Sequence, residues 1–128
     1  MRRIFILFLL CFVAVRAVAQ EPPPQKFVVF FEEWSARIDD AGLAVIRRAG
    51  DYANAHPSAV VHIEGFADPT GSSKANALLT DLRAQVVIDQ LQTDGVAPAR
   101  IRGRGRGSVH FALTSQESRR VEISFGGH

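Results

Sequence analysis

Between Lys26 and Phe125 the apolar residues switch repeatedly between the spacing of a strand and the spacing of a helix, and this alternation constrains the fold more than any other property of the chain. Phe27, Val28, Val29, Phe30 and Phe31 form a short aromatic and β-branched run, which predicts a buried strand. Leu43, Ile46, Ala49 and Ala53 then recur on one helical face. Asp39 and Asp40 stand where a cap belongs and oppose the positive end of that helix, and Pro57 ends it by restricting His56. Ala59 to Glu64 reads as a second strand, and Gly65 to Gly71 collects turn residues. Ser72 or Ser73 caps a second helix, with Ala75, Leu79, Leu82 and Val86 as its expected buried face and Gly95 just past its end. Ile101 to Val109 predicts a third strand. Arg119 to Phe125 predicts a fourth, with Val121, Ile123 and Phe125 inward and Arg120, Glu122 and Ser124 outward. The order β-α-β-α-β-β implies an α+β sandwich, with the helices packed on one face of a mixed sheet.

The residues ahead of this pattern have a different character. Met1-Arg2-Arg3 is basic, Ile4 to Val15 is uninterrupted apolar sequence, and Ala17-Val18-Ala19 supplies small residues at a cleavage site. This is the layout of a secretory signal peptide, too short before Arg16 to span a bilayer. The expected organisation is a signal peptide over residues 1–19, a Pro-rich linker over 20–26 and one domain over 27–128. Removing Arg2, Arg3 and Arg16 from the 15 basic residues leaves 12 against 13 acidic ones, so the formal charge of +2 gives no argument for a polyanionic partner. The single cysteine, Cys11, falls inside the signal, which leaves the mature part without a thiol for catalysis or a disulfide. The mature chain is expected to carry no transmembrane segment and to work in the periplasm, in association with the outer membrane or free of it.

The most informative stretch runs from Gly65 to Ala84. Gly65, Asp68, Gly71, Asn76, Leu79-Thr80 and Arg83-Ala84 resemble the signature of the OmpA-like peptidoglycan-binding family in order and spacing. Gly95-Val96, Arg100-Ile101, Gly105 with Gly107, and Arg119-Arg120-Val121-Glu122-Ile123 extend the resemblance to nearly the whole of the mature chain. The resemblance implies non-catalytic, non-covalent binding of peptidoglycan through the diaminopimelate of its stem peptide. It also implies anchorage of the protein and any envelope partner to the cell wall, with no cofactor or metal.

The residue chemistry suits such a ligand. The free end of diaminopimelate carries an ammonium beside a carboxylate. By the resemblance Asp68 accepts from the ammonium, and Arg83 forks onto the carboxylate in a planar two-bond arrangement that lysine cannot copy. Asn76 either offers its amide to the ligand or ties down the loop. Arg119 helps to hold the carboxylate, while Arg120 alternates to the other face. A helix from Ser73 sets Arg83 about 15 Å along its axis, so the 65–72 segment is expected to fold back for Asp68 to share a ligand with it. The chain departs from the family pattern at Phe66-Ala67, where a polar pair is usual, at Glu32-Glu33-Trp34, at Phe111 and at Ser118.

Three other readings compete. Arg100, Arg102, Arg104 and Arg106 stand at every second position, the last three alternating with glycine in the manner of RNA-binding segments, but on a strand they simply share one exposed face, and an exported chain meets little nucleic acid. The same stripe also suits an anionic glycan, wall polymer or lipid head group. A cell-wall hydrolase would need paired carboxylates from Glu32, Glu33 and Asp68, which nothing in the sequence brings together, and His56, His62, His110 and His128 lack metal-ligand spacing. An envelope interaction module with a degenerate pocket is the third reading, motivated by Phe66, Ala67 and Ser118.

Overall fold

A computed structural model describes residues 25–68, 71–108 and 118–127. The signal, most of the Pro-rich linker, Pro69, His110, Phe111 and His128 lie outside the described residues. The elements follow in the expected order: β1 (Lys26–Phe30), α1 (Asp40–Ala55), β2 (Ala59–Ala67), α2 (Ser73–Thr93), β3 (Ile101–Ser108) and β4 (Arg120–Gly127). They build one mixed sheet of order β1-β4-β2-β3, in which β4 is antiparallel to both neighbours and β2 is parallel to β3. The α+β architecture predicted from the apolar spacing is the one observed.

Local chemistry sets the boundaries. Asp39 caps α1 through Oδ1, which accepts from the Gly42 N–H at 2.7 Å, and Ser72 caps α2 by accepting from Ala75 N–H at 3.1 Å. Val29, Val61, Ile63, Val121 and Ile123 from the sheet meet Ile46, Ala49, Ala53, Val87 and Leu91 from the helices in one core. The inward and outward residues of β4 alternate as predicted, with Val121, Ile123 and Phe125 buried and Arg120, Glu122 and Ser124 partly exposed.

Three expectations require correction. β2 continues to Ala67, so Gly65 to Ala67 is strand and not loop. Gly65 and Gly105 are register partners on adjacent strands, and both face the backbone of α2 at Thr80. A Cβ on Gly65 would stand 2.4 Å from the Thr80 carbonyl oxygen, and one on Gly105 would stand 2.5 Å from Thr80 Oγ1. The pair therefore serves close approach of helix to sheet rather than a turn.

The second correction concerns the buried face of α2. It is Asn76, Thr80, Arg83, Ala84, Val87 and Leu91, while Ala75 is exposed and Leu82 is 53% exposed. A search for apolar periodicity selects the wrong stripe because the first half of the true stripe is polar. In the same way Leu43 lies at the exposed rim of α1, where Gly42 is buried instead.

The third correction removes Arg100 from the arginine stripe. It lies in a 3-10 turn, Pro98–Arg100, and its guanidinium donates to the carbonyls of Ala53 at 2.9 Å, His56 at 2.8 Å and Ala59 at 3.0 Å. It thereby satisfies carbonyls at the C-terminal end of α1, where a cation is favoured. Arg102, Arg104 and Arg106 remain exposed, and Arg104 and Arg106 approach Glu64.

Candidate functional site

The strand order brings three chain segments to one end of the sheet. β4 lies between β1 and β2 and runs against both, with Arg120 opposite Phe30 and Val121 opposite Gly65. The start of β4 thus meets the ends of β1 and β2, and Arg119 arrives beside Phe31 and Asp68. α2 begins at the same end and runs back along β2, held close by Gly65 and Gly105.

Arg83 is the centre of this region and is 0% exposed. It sits well down α2, but side chains on a helix lean toward its N-terminus, so a long one reaches back over the preceding turns. The extended β2 and the reach of Arg83 meet the geometric demand, without the loop having to fold across the helix. Its Nε donates to the Ser35 carbonyl at 2.7 Å and its Nη2 to the Glu32 carbonyl at 2.9 Å. The guanidinium carbon lies 5.3 Å from the centre of the Phe31 ring. The remaining terminal nitrogen, Nη1, is buried and has no hydrogen-bond partner among the described residues.

The other three sequence candidates gather around it. Arg119 Nη1 lies 3.3 Å from Asp68 Oδ2, and Arg119 Nε donates to the Phe31 carbonyl at 3.2 Å. Asn76 is buried, and its Nδ2 donates to the Asp68 carbonyl at 3.4 Å. Asp68, Asn76, Arg83 and Arg119 all line one small cavity of about 180 Å³, a volume that includes its open mouth. Two guanidiniums thus face one deeply placed carboxylate. Burial, then the charge of Arg119, push Arg83 down to about 10 from its ordinary higher value, partly opposed by Asp68.

Sequence reasoning missed three lining residues, Glu33, Trp34 and Leu79, while Ala67, which it placed at the pocket as a departure from the family's polar pair, does line the cavity. Glu33 and Trp34 lie in an aperiodic segment, where hydrophobic patterning carries no signal. Trp34 is the only tryptophan in the chain, which was the one available cue. Phe66, by contrast, is not at the cavity. It points to the opposite face of the sheet, where the Arg120 guanidinium covers its ring at 4.2 Å. Arg120 therefore faces away from the cavity, as its alternation with Arg119 implied. Ser118 is buried next to Arg119 in sequence. Among the described residues no group of three or more His, Cys, Asp or Glu side chains converges, and no helix is long and apolar enough to cross a membrane.

Fold and cavity together define an α+β domain in which a buried arginine, with one donor left without a partner among the described residues, lines a small recess. The chain belongs to the OmpA family, whose model matches residues 30–123. It is 34% identical over 116 residues to the peptidoglycan-binding protein ArfA of Mycobacterium tuberculosis, a match covering 86% of this chain and 34% of that protein. It is 30% identical over 102 residues to the probable lipoprotein YiaD of Escherichia coli, covering 75% of this chain and 47% of the relative. The chain thus spans between a third and a half of the length of these relatives. In fold it resembles the peptidoglycan-associated lipoprotein from Burkholderia pseudomallei, with a TM-score of 0.72 at 24% identity over 78% of this chain and 90% of the other. The periplasmic domain of Helicobacter pylori MotB superposes with a TM-score of 0.68 at 21% identity, covering 84% of this chain and 79% of that one.

Proposed function

We propose that this chain binds peptidoglycan non-covalently, with the free end of a stem-peptide diaminopimelate entering the cavity between Asp68 and Arg83. The observation that carries this reading is the buried Nη1 of Arg83, a donor without a partner among the described residues on a side chain that lines the cavity. Leaving a buried donor unsatisfied costs about 1–3 kcal/mol. A ligand carboxylate removes that cost with a charge-assisted hydrogen bond. The charges suit the same ligand, because Arg83 and Arg119 are balanced by Asp68 and Glu33 around the cavity, and a zwitterionic head group is itself neutral.

In this reading Asp68 receives the ligand ammonium and Arg83 the carboxylate. Asn76 and Arg119 orient Asp68 from its backbone and its side chain. Family membership, and the peptidoglycan-binding protein ArfA at 34% identity, support peptidoglycan as the ligand class. The position of Phe66 on the far side of the sheet weakens the case for a degenerate pocket. Binding is non-catalytic and needs no cofactor. The protein is exported by residues 1–19, works in the periplasm, and tethers itself and any envelope partner to the wall.

The test is a titration of the chain with a diaminopimelate stem peptide against a lysine stem, which lacks the second carboxylate. At least tenfold preference for diaminopimelate is expected, and Asp68→Ala should weaken both stems, because both carry the ammonium. Equal affinity for the two stems would refute the assigned site. Release of soluble fragments from purified sacculi would refute non-catalytic binding.

A further inference from the structure

Trp34 combines three properties that packing alone does not explain. It is the only non-glycine residue with positive φ among the described residues, at 54°. Its side chain is 54% exposed and still lines the cavity. Its indole lies against Gly71, where a Cβ would stand 2.5 Å from Trp34 Cη2. Gly71 itself has φ 82°, so both residues of this contact occupy left-handed backbone.

The cavity beneath is narrow, with free space for about one water molecule inside its open mouth. An amino-acid head group is several times that size, so a wall has to move before a carboxylate can reach Arg83 Nη1. Most walls are fixed: Ala67, Asp68, Asn76 and Arg83 are buried on β2 and α2 or at their ends, and Arg119 is tied to Asp68 and Phe31. Trp34 belongs to the connection between β1 and α1, and its indole has no hydrogen bond among the described residues. The connection is pinned on both sides of it, through the carbonyls of Glu32 and Ser35 that Arg83 holds. The side chain is therefore free to swing while its backbone stays in place.

We propose that Trp34 is the movable wall and a specificity-determining residue of this cavity. It swings off Gly71 to admit a zwitterionic head group, then closes over the apolar arm that carries it, opposite Leu79. The ligand class is an α-amino acid head at the end of an alkyl chain, and the indole reads the chain while Asp68 and Arg83 read the head. Covering the arm also excludes water from the charged contacts and so strengthens them. This inference rests on the reading given under Proposed function and adds the residue that selects for the arm.

Because Trp34 is the sole tryptophan, intrinsic fluorescence reports on it directly. The full chain is titrated with a diaminopimelate stem peptide while emission and sedimentation with sacculi are followed in parallel. Saturation should shift the emission maximum in the wild type and not in Asp68→Ala. Trp34→Ala should weaken stem-peptide binding at least tenfold, and Trp34→Phe should stay within about threefold of the wild type. If the wild type binds without a change in emission and Trp34→Ala binds as tightly, the movable wall is refuted and the Asp68–Arg83 site stands. If the wild type binds neither stem peptide nor sacculi, both readings fall together.

Discussion

Arg83 Nε donates to the carbonyl of Ser35 at 2.7 Å, joining the middle of α2 to the connection that follows β1. The side chain proposed to hook a carboxylate therefore also suspends the segment bearing Glu33 and Trp34. Recognition and local architecture depend on one guanidinium, and substitutions at this position report on both. The two-bond fork expected from the sequence is spent on the two carbonyls, which leaves Nη1 for a ligand. Arg83→Lys keeps the charge but cannot hold both carbonyls and a carboxylate at once, so it should abolish the preference for diaminopimelate over lysine stems. It should also lower stability by about 1–3 kcal/mol by denaturant titration, because one ammonium cannot serve both carbonyls.

The depressed basicity of Arg83 has a defined signature in pH. Its folded pKa, about 10, lies below the ordinary value of an arginine. The unfolded chain therefore holds more protons between those values, and the contribution of this group to stability rises with pH there. The burden of burying the charge is complete below about pH 10 and is relieved above it. The stability of the wild type minus that of Arg83→Met should be constant from pH 7 to 9 and should become more favourable by order 1 kcal/mol between pH 10 and 11. A difference that falls over that interval would contradict the assignment.

The close approach of α2 to the sheet at Gly65 predicts a steep difference between two glycines. Gly65→Ala places a methyl 2.4 Å from a backbone oxygen that cannot turn aside. It should cost at least about 2–3 kcal/mol in thermal unfolding and should displace the cavity-lining turns of α2. Gly126→Ala meets only the rotatable ring of His62 at 3.2 Å and should cost less than about 1 kcal/mol.

Arg100 and Arg104 look equivalent in the sequence and are not equivalent in the fold. Arg100→Ala leaves the carbonyls of Ala53, His56 and Ala59 without their shared donor and should destabilise by about 1.5–3 kcal/mol. Arg104→Ala removes an exposed ion pair with Glu64 and should change stability by less than about 0.5 kcal/mol. Equal effects in a chemical denaturation series would show that the three carbonyl contacts carry no weight.

The positive φ of Trp34 predicts an inverted ranking of small substitutions. Glycine is ordinarily the more costly replacement, because it loses more chain entropy on folding. At this position Trp34→Gly should be more stable than Trp34→Ala by about 1 kcal/mol, since alanine retains a Cβ in left-handed backbone. Differential scanning calorimetry of the two variants decides the point.

The strands, the helix order and the four proposed ligand-facing residues were legible in the sequence, for two different reasons. β4 announces itself because Val121, Ile123 and Phe125 alternate with polar neighbours, and period alone suffices there. Asp68, Asn76, Arg83 and Arg119 were legible only through family spacing, since nothing about an isolated arginine distinguishes a buried donor from a solvated charge. Apolar periodicity misled on α2 because Asn76, Thr80 and Arg83 occupy the stripe that faces the sheet. It was silent on Trp34 because a left-handed turn has no hydrophobic period. Gly65 was misread for a related reason: a glycine that permits a turn and a glycine that permits contact are the same letter.

The split character of α2 has a consequence for how this domain can change. Val87 and Leu91 moor the far half of the helix in the apolar interior, while Asn76, Thr80 and Arg83 give the near half a polar underside. The proposed selectivity is thus concentrated in the first turns of one rigid rod and the apolar mooring in the last, with Arg83 serving both ligand and local architecture. Descendants of this sequence can acquire a new ligand by rewriting the first three turns around Arg83, with the apolar mooring of Val87 and Leu91 left untouched.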